Sequence, residues 1–147
     1  MCDHLINIEI NNLISKFNQS KNKKPLIKDL SYLKTYTIDD SQTVEVDDAL
    51  SLEKISGQYK LWIHISSPTS YIRYESAIDK KARKINSTVY LSNSTLYMLP
   101  EVLINEVFSL SNKEKRESIS LGIIFNEDGS VYDSEIVQSL IKVNYRL

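Results

Sequence analysis

The sequence predicts an α+β fold, a mixed but mainly antiparallel sheet flanked by helices. Three observations carry this reading. Residues 49–55 and 59–65 are strand-like runs joined at Ser56-Gly57-Gln58, a hairpin whose glycine supplies the positive φ that a short turn needs. Residues 118–125 alternate through Ile119, Leu121, Ile123 and Phe125, and Asn126-Glu127-Asp128-Gly129 then turns the chain into another extended stretch from Val131. Residues 5–17 and 76–85 instead repeat at spacings of three and four, the period of helices.

Composition bounds what such a fold can do. The chain has 147 residues, 41% hydrophobic and 25% charged, which is enough for one ordinary domain with a real core. A net charge of −1 exerts no general pull on nucleic acid, so a polyanion would be held by local patches or through metal. A lone cysteine, Cys2, excludes an internal disulfide and a thiolate cage. No apolar run approaches the ~20 residues of a membrane span, and Met1 is not followed by a signal-like segment. The cytoplasm is the expected compartment. Three glycines and three prolines argue against a flexible interdomain linker, and no repeat is present.

Taken in order, residues 5–17 place Ile6, Ile10, Leu13, Ile14 and Phe17 on one helical face. Residues 20–28 turn polar, with Lys21, Lys23, Lys24 and Lys28 around Pro25, which reads as a solvated linker or a phosphate-contacting arm. In residues 59–65, Leu61, Ile63 and Ile65 share one face and Trp62 and His64 the other, so His64 reads as a strand residue and not as a ligand. Ser76 and Asp79 can cap a helix with Ala77, Ile78, Ala82 and Ile85 inward and Lys80, Lys81, Arg83 and Lys84 outward. Residues 87–91 are a short β-rich run. Pro100 suits a first helical turn, with Val102, Leu103, Val107 and Phe108 as the buried side. Residues 141–147 read as a strand interrupted, without the turn signal or polar tail of a natural terminus.

Chemistry concentrates in residues 39–48, where Asp39, Asp40, Glu45, Asp47 and Asp48 put five carboxylates and no basic residue into ten positions. Like charges held close call for cations or protonation, which points to a hard divalent metal. A calcium loop starting at Asp39 fails, because Val44 stands where glycine is needed and Leu50 where glutamate is needed. A glycosidase pair would have to face each other across a sugar, whereas acids this close in sequence tend to share one ion. In an extended segment Glu45 and Asp47 point one way and Asp48 the other, so a turn must gather the oxygens. Two Mg2+ ions roughly 3.5–4 Å apart could then activate water against a phosphodiester. The same residues also read as an acidic, solvated turn before a strand, and spacing leaves both readings open.

Thr37-Ile38-Asp39 followed by Asp47-Asp48-Ala49 resembles the active-site signature of the ribonuclease II family, the RNB exoribonucleases. The likeness continues through Asp29-Leu30, Ile63-His64-Ile65, Thr88-Val89-Tyr90-Leu91, Met98-Leu99-Pro100, Asn105, Ser109-Leu110, Arg116 with Ser118 and Ser120, and Arg146-Leu147. It covers roughly residue 28 to the end. The resemblance implies an incomplete RNB-type catalytic domain in residues 28–147, preceded by a helix and basic linker in residues 1–27. It implies a Mg2+-dependent enzyme, with Mn2+ as an alternative ion, that degrades single-stranded RNA from its 3′ end to nucleoside 5′-monophosphates. DNA is not an expected substrate.

By motif position the resemblance assigns Asp39, Glu45, Asp47 and Asp48 as catalytic and metal-binding acids, and sets Asp40 aside. Tyr90, otherwise a strand-edge aromatic, resembles the family's clamp that stacks on the terminal base, a contact of about 1–3 kcal/mol. Three departures stand out. Glu45 replaces the usual aspartate, Ser66-Ser67-Pro68 replaces an aspartate that commonly follows the His64 strand, and the family's catalytic domains continue well past Leu147 with a further arginine. The chain therefore reads as either a fragment of an RNB enzyme or one piece of a split enzyme that a second chain completes, and the open edges expected of an interrupted sheet would favour a partner. The alternative is a non-catalytic module that retains RNA or metal affinity.

Overall fold

A computed structural model describes residues 2–20, 27–111 and 114–147. They form two compact units, one from the N-terminal helix with residues 68–107 and one from residues 27–67 with 108–147.

The first unit begins with α1 (Cys2–Ser20), whose Ile6, Leu13 and Phe17 are buried as their spacing predicts. The Phe17 ring meets the edge of Tyr71 at 6.0 Å between centroids. Helix α2 (Ala77–Ile85) starts where Ser76 accepts the Asp79 N–H at 3.2 Å, the cap that the sequence predicts. Two more of its leading N–H groups, those of Ala77 and Ile78, donate to Glu9 of α1 at 2.9 and 3.1 Å. Burial works against the Glu9 charge, but these bonds outweigh it and hold its carboxyl below the usual range. Ile78 and Ala82 are buried, and Lys80, Lys81, Arg83 and Lys84 face solvent.

Strands β5 (Val89–Leu91) and β6 (Ser94–Leu96) then make a separate hairpin. Pro100 precedes the single turn α3 (Glu101–Leu103), which widens into a π-helical turn over Ile104–Phe108. This widening corrects the predicted inner face: Leu103, Ile104, Val107 and Phe108 are buried, and Val102 is exposed. No helix among the described residues is long and apolar enough to cross a membrane.

The second unit is built from β1 (Lys28–Asp29), β2 (Thr35–Thr37), β3 (Asp48–Ile55), β4 (Gln58–Ser66), β7 (Lys115–Phe125) and β8 (Val131–Arg146). The β3–β4 hairpin turns at Ser56 and Gly57, both at positive φ as a two-residue turn of this hand requires. The sheet runs β1-β8-β2-β3-β4-β7, and β7 also pairs with β8, so five strands close into a ring. The expectation of open edges is thus corrected. With 16 residues, β8 is long enough to pair antiparallel with β7 and then, further along, parallel with β1 and β2. Lys21, Lys23 and Lys24 lie outside the described residues. Lys28 belongs to β1, not to a solvated arm, and pairs with Glu135 at 3.1 Å.

The barrel buries many polar groups among apolar ones. Its buried positions carry Thr35, Ser51, His64, Arg116, Ser118, Ser120 and Ser139 alongside Trp62, Ala49 and Ile141. His64 Nε2 bonds Ser51 Oγ at 2.8 Å and Nδ1 bonds Ser120 Oγ at 2.6 Å, while Ser139 joins Ser120 at 2.5 Å and Ser118 at 2.7 Å. Burial lowers the His64 pKa to about 4. The neutral ring supplies one donor and one acceptor, and rotatable hydroxyls match both.

The interior also holds Trp62, fully buried, with its indole N–H donated to Glu53 at 2.9 Å. Its ring fits because Gly122 stands opposite: a Cβ there would come within 2.7 Å of the indole. The outer face, in contrast, is apolar. Leu50, Ile63, Leu121 and Ile136 are in register across four strands, as are Leu52, Leu61 and Ile123, and Ile65 and Ile119. Ile136 is 73% exposed and Leu52 59%.

Candidate functional site

The acidic segment connects the end of β2 to the start of β3, entirely within the second unit. A turn opens the segment: the Asp40 carbonyl accepts the Thr43 N–H at 2.9 Å and its Oδ1 accepts the Gln42 N–H at 2.9 Å. Asp40, the acid without a family assignment, is therefore a turn former.

Groups from elsewhere in the chain hold this segment by its main chain. Arg146, from the end of β8, donates Nη2 to the carbonyls of Asp40 and Thr43, the latter at 2.9 Å. The Ser109 hydroxyl accepts the Val46 N–H at 3.1 Å and donates to the Val44 carbonyl at 2.8 Å, so it brackets Glu45. The next residue, Leu110, donates its N–H to the Val46 carbonyl at 2.9 Å. Buried Arg116 donates Nε to the Ser109 carbonyl at 3.3 Å. Finally Ser66, at the end of β4, bonds Asp47 twice, N–H to carbonyl at 2.8 Å and hydroxyl to Oδ1 at 3.3 Å.

Ser66 also accounts for part of one departure from the family pattern, since it stands in the segment where an aspartate is usual and serves the acid across the strand.

Three of the four assigned acids lie close enough for their charges to interact. Asp47 is open to solvent at its surface, yet the surrounding protein desolvates its carboxyl enough to push the pKa up. The Ser66 hydroxyl pulls it down, and the negative charges of Asp48 and Asp39 push it up again. Asp48 opens β3 opposite Ile65, and Asp39 is fixed by its N–H to the Leu147 carbonyl at 3.4 Å. Glu45 is half-buried between its two bracketed neighbours. Among the described residues, no three His, Cys, Asp or Glu side chains converge closely enough to hold a metal ion. The arrangement is a set of interacting charges and not a closed cage.

Tyr90 lies in the first unit, on the β5–β6 hairpin, and is 66% exposed. Ser109, Arg116 and Arg146 stood in the sequence as motif matches without a role. Ser109 and Arg146 act on carbonyls and N–H groups far away in the chain, and Arg116 supports Ser109 through its carbonyl, none of which a side-chain pattern discloses. Ser66 bore no positive signal, only a missing aspartate.

The RNB domain model matches residues 27–147. The chain belongs to the RNB family. An uncharacterised ribonuclease of Synechocystis sp. is 39% identical over 120 residues, 81% of this chain and 18% of that protein. Ribonuclease R of Chlamydia trachomatis is 34% identical over 121 residues, 82% of this chain and 17% of that protein. Among solved structures, apo Mycoplasma genitalium RNase R superimposes with a TM-score of 0.81 at 26% identity, covering 94% of this chain and 22% of RNase R. The same enzyme with ribose methylated single-stranded RNA gives 0.78 at 24% identity, covering 93% and 22%. This RNB chain thus spans less than a fifth of the length of the curated relatives it matches.

Proposed function

We propose that this RNB chain forms part of an exoribonuclease that hydrolyses single-stranded RNA from the 3′ end and releases nucleoside 5′-monophosphates in the cytoplasm. The observation that carries the reading is the electrostatic grouping of Asp39, Asp47 and Asp48 within a segment matched to the RNB family. A grouping of hard oxygen donors in which the charges of Asp48 and Asp39 help raise the Asp47 pKa suits Mg2+ or Mn2+, which relieves that repulsion. Asp39, Glu45, Asp47 and Asp48 would hold it. Such an ion, when bound, would supply charge neutralisation at the phosphate and lower the pKa of water.

The chain's own residues do the remaining work. Ser66 holds Asp47 through its carboxyl and its carbonyl, Ser109 fixes the main chain on both sides of Glu45, and the turn at Asp40 sets the path of the chain after Asp39. Tyr90 offers an exposed aromatic face for stacking on an RNA base. The rest of the catalytic domain lies outside these residues in this reading, on a continuation of the same polypeptide or on a second chain, since most of each relative's length lies outside the match.

The test is a chimera in which residues 27–147 replace the matched segment of M. genitalium RNase R. It is assayed on 3′-labelled single-stranded RNA in Mg2+ beside its Asp47→Asn variant, with the isolated chain in parallel. Release of 5′-monophosphates by the chimera and not by the variant supports the reading. Equal rates for the two would sink it.

A second reading rests on the absence of three converging ligands among the described residues. There the chain is a non-catalytic module, and the chimera binds RNA without cleaving it in either form.

A further inference from the structure

Arg146 is the cation nearest in role to the acidic segment, and its bonding is unusual for that setting. An arginine beside carboxylates ordinarily pairs with one of them, because two parallel charge-assisted hydrogen bonds fit a carboxylate well. Arg146 instead donates Nη2 to two main-chain carbonyls, those of Asp40 and Thr43. These carbonyls sit at the two ends of the turn that Asp40 closes on Thr43. A single nitrogen thus spans the turn from outside while the Asp40–Thr43 main-chain bond spans it from within.

The backbone around Arg146 aims it there. In the parallel pairing of β2 and β8, Thr37 is the partner of Arg146. Past this point the ladder continues, with Leu147 N–H on the Thr37 carbonyl at 2.9 Å and Asp39 N–H on the Leu147 carbonyl at 3.4 Å. Tyr145, one residue before, stacks on Tyr36 at 4.9 Å. The strand end is therefore pinned on both sides of Arg146, and its side chain reaches forward over the turn that begins where β2 stops.

Two consequences follow for the acids. The guanidinium places positive charge beside the segment and, among the described residues, makes its bonds to carbonyls and not to Asp39, Asp47 or Asp48. Its grip on the carbonyls of residues 40 and 43 also fixes the path between Asp39 and Glu45. We propose that Arg146 is a positioning residue for the acidic site, acting through the main chain of the turn and not by contact with substrate or ion. The ion-binding part of this inference rests on the function proposed above, and the part concerning the turn stands apart from it.

The test uses the full chain with Arg146→Ala and Arg146→Lys, each checked for native circular dichroism. Amide hydrogen exchange of residues 39–47 is compared with that of β3 and β4, and Mn2+ affinity is titrated by calorimetry. For Arg146→Ala we expect exchange in residues 39–47 to rise on the order of tenfold with the strands unchanged, and Mn2+ binding to weaken by a similar factor. Lysine, which keeps the charge and one donor group, should restore part of both. Unchanged exchange in the segment overturns the proposal, and so does a loosened segment with unchanged Mn2+ affinity. If the unaltered chain binds no Mn2+, the metal reading fails, and the exchange comparison alone then decides whether Arg146 holds the turn.

Discussion

The Ser109 hydroxyl accepts the main-chain N–H of Val46 at 3.1 Å, across 63 positions of sequence. Both groups are buried, so neither has water to replace the other. Replacing Ser109 with alanine leaves the Val46 N–H and the Val44 carbonyl without their partner. We expect Ser109→Ala to destabilise the fold by about 1–3 kcal/mol in urea titrations, the cost of an unsatisfied buried group. Threonine, which retains the hydroxyl, should recover part of the loss. An unchanged midpoint for the alanine variant would show that Leu110 N–H alone secures this segment.

Asp47→Asn separates stability from catalysis. Burial and the charges of Asp48 and Asp39 disfavour an ionised Asp47, so removing its charge should leave the chain at least as stable at neutral pH. In the RNase R chimera the same change should lower single-turnover cleavage by more than about a hundredfold with little change in RNA affinity, as expected for a group acting in the transition state. Loss of RNA binding in step with cleavage would instead mark Asp47 as a binding residue.

His64 makes stability depend on pH. Its folded pKa, about 4, lies below the unbound value of 6.5, so the unfolded chain takes up its proton first as pH falls. Stability is complete above about pH 6.5 and declines as pH drops toward 4, with roughly 3 kcal/mol at stake over the window. Urea midpoints measured from pH 7 to 4 should fall, and His64→Gln should flatten this part of the profile. A wild-type curve no steeper than the glutamine variant's would contradict the assignment.

Gly122→Ala tests the fit around Trp62. The added methyl would stand 2.7 and 2.8 Å from indole carbons and 2.9 Å from the Lys60 side chain. Overpacking of this kind typically costs about 1–3 kcal/mol, so the melting temperature should drop by several degrees. Lys60 can retreat at its flexible end, but the buried indole cannot. A melting temperature equal to the parent's would mean that the barrel interior relaxes freely.

The outer face of the barrel gives the opposite expectation. Ile136 is 73% exposed, and a charge there meets no packed neighbour that it must displace. Ile136→Lys should leave the urea midpoint within about 0.5 kcal/mol of the parent while reducing binding of an apolar dye and any self-association. A large loss of stability would show that the side chain is packed in solution.

These expectations divide along the line between local and distant signals. The β3–β4 turn, the Ser76 cap of α2 and the alternation of β7 were legible because each depends on residues a few positions apart. The four assigned acids were legible as a motif. What was not legible depends on pairing across the chain. Alternation in β7 shows two faces but not which is inside, and here Ser118 and Ser120 are buried while Ile119 is exposed, because His64 on β4 and Ser139 on β8 complete their hydrogen bonds. The anchors of the acidic segment escaped for the same reason: Arg146 grips carbonyls, and every residue has one.

Closure of the ring through β2 and β8 carries a consequence for how the molecule comes to exist. Asp40 and Arg146 are 106 positions apart, and Thr35 meets Val143 across nearly the same span. During synthesis the hairpin of β3 and β4 can form early, but β2 must wait beside it with one edge unsatisfied until the last residues of β8 leave the ribosome. The acidic turn, clamped by that same strand end, takes shape only once those residues have emerged. A nascent chain halted before residue 143 would already hold most of its strands and all of its acids, and would lack the seam that sets them in place.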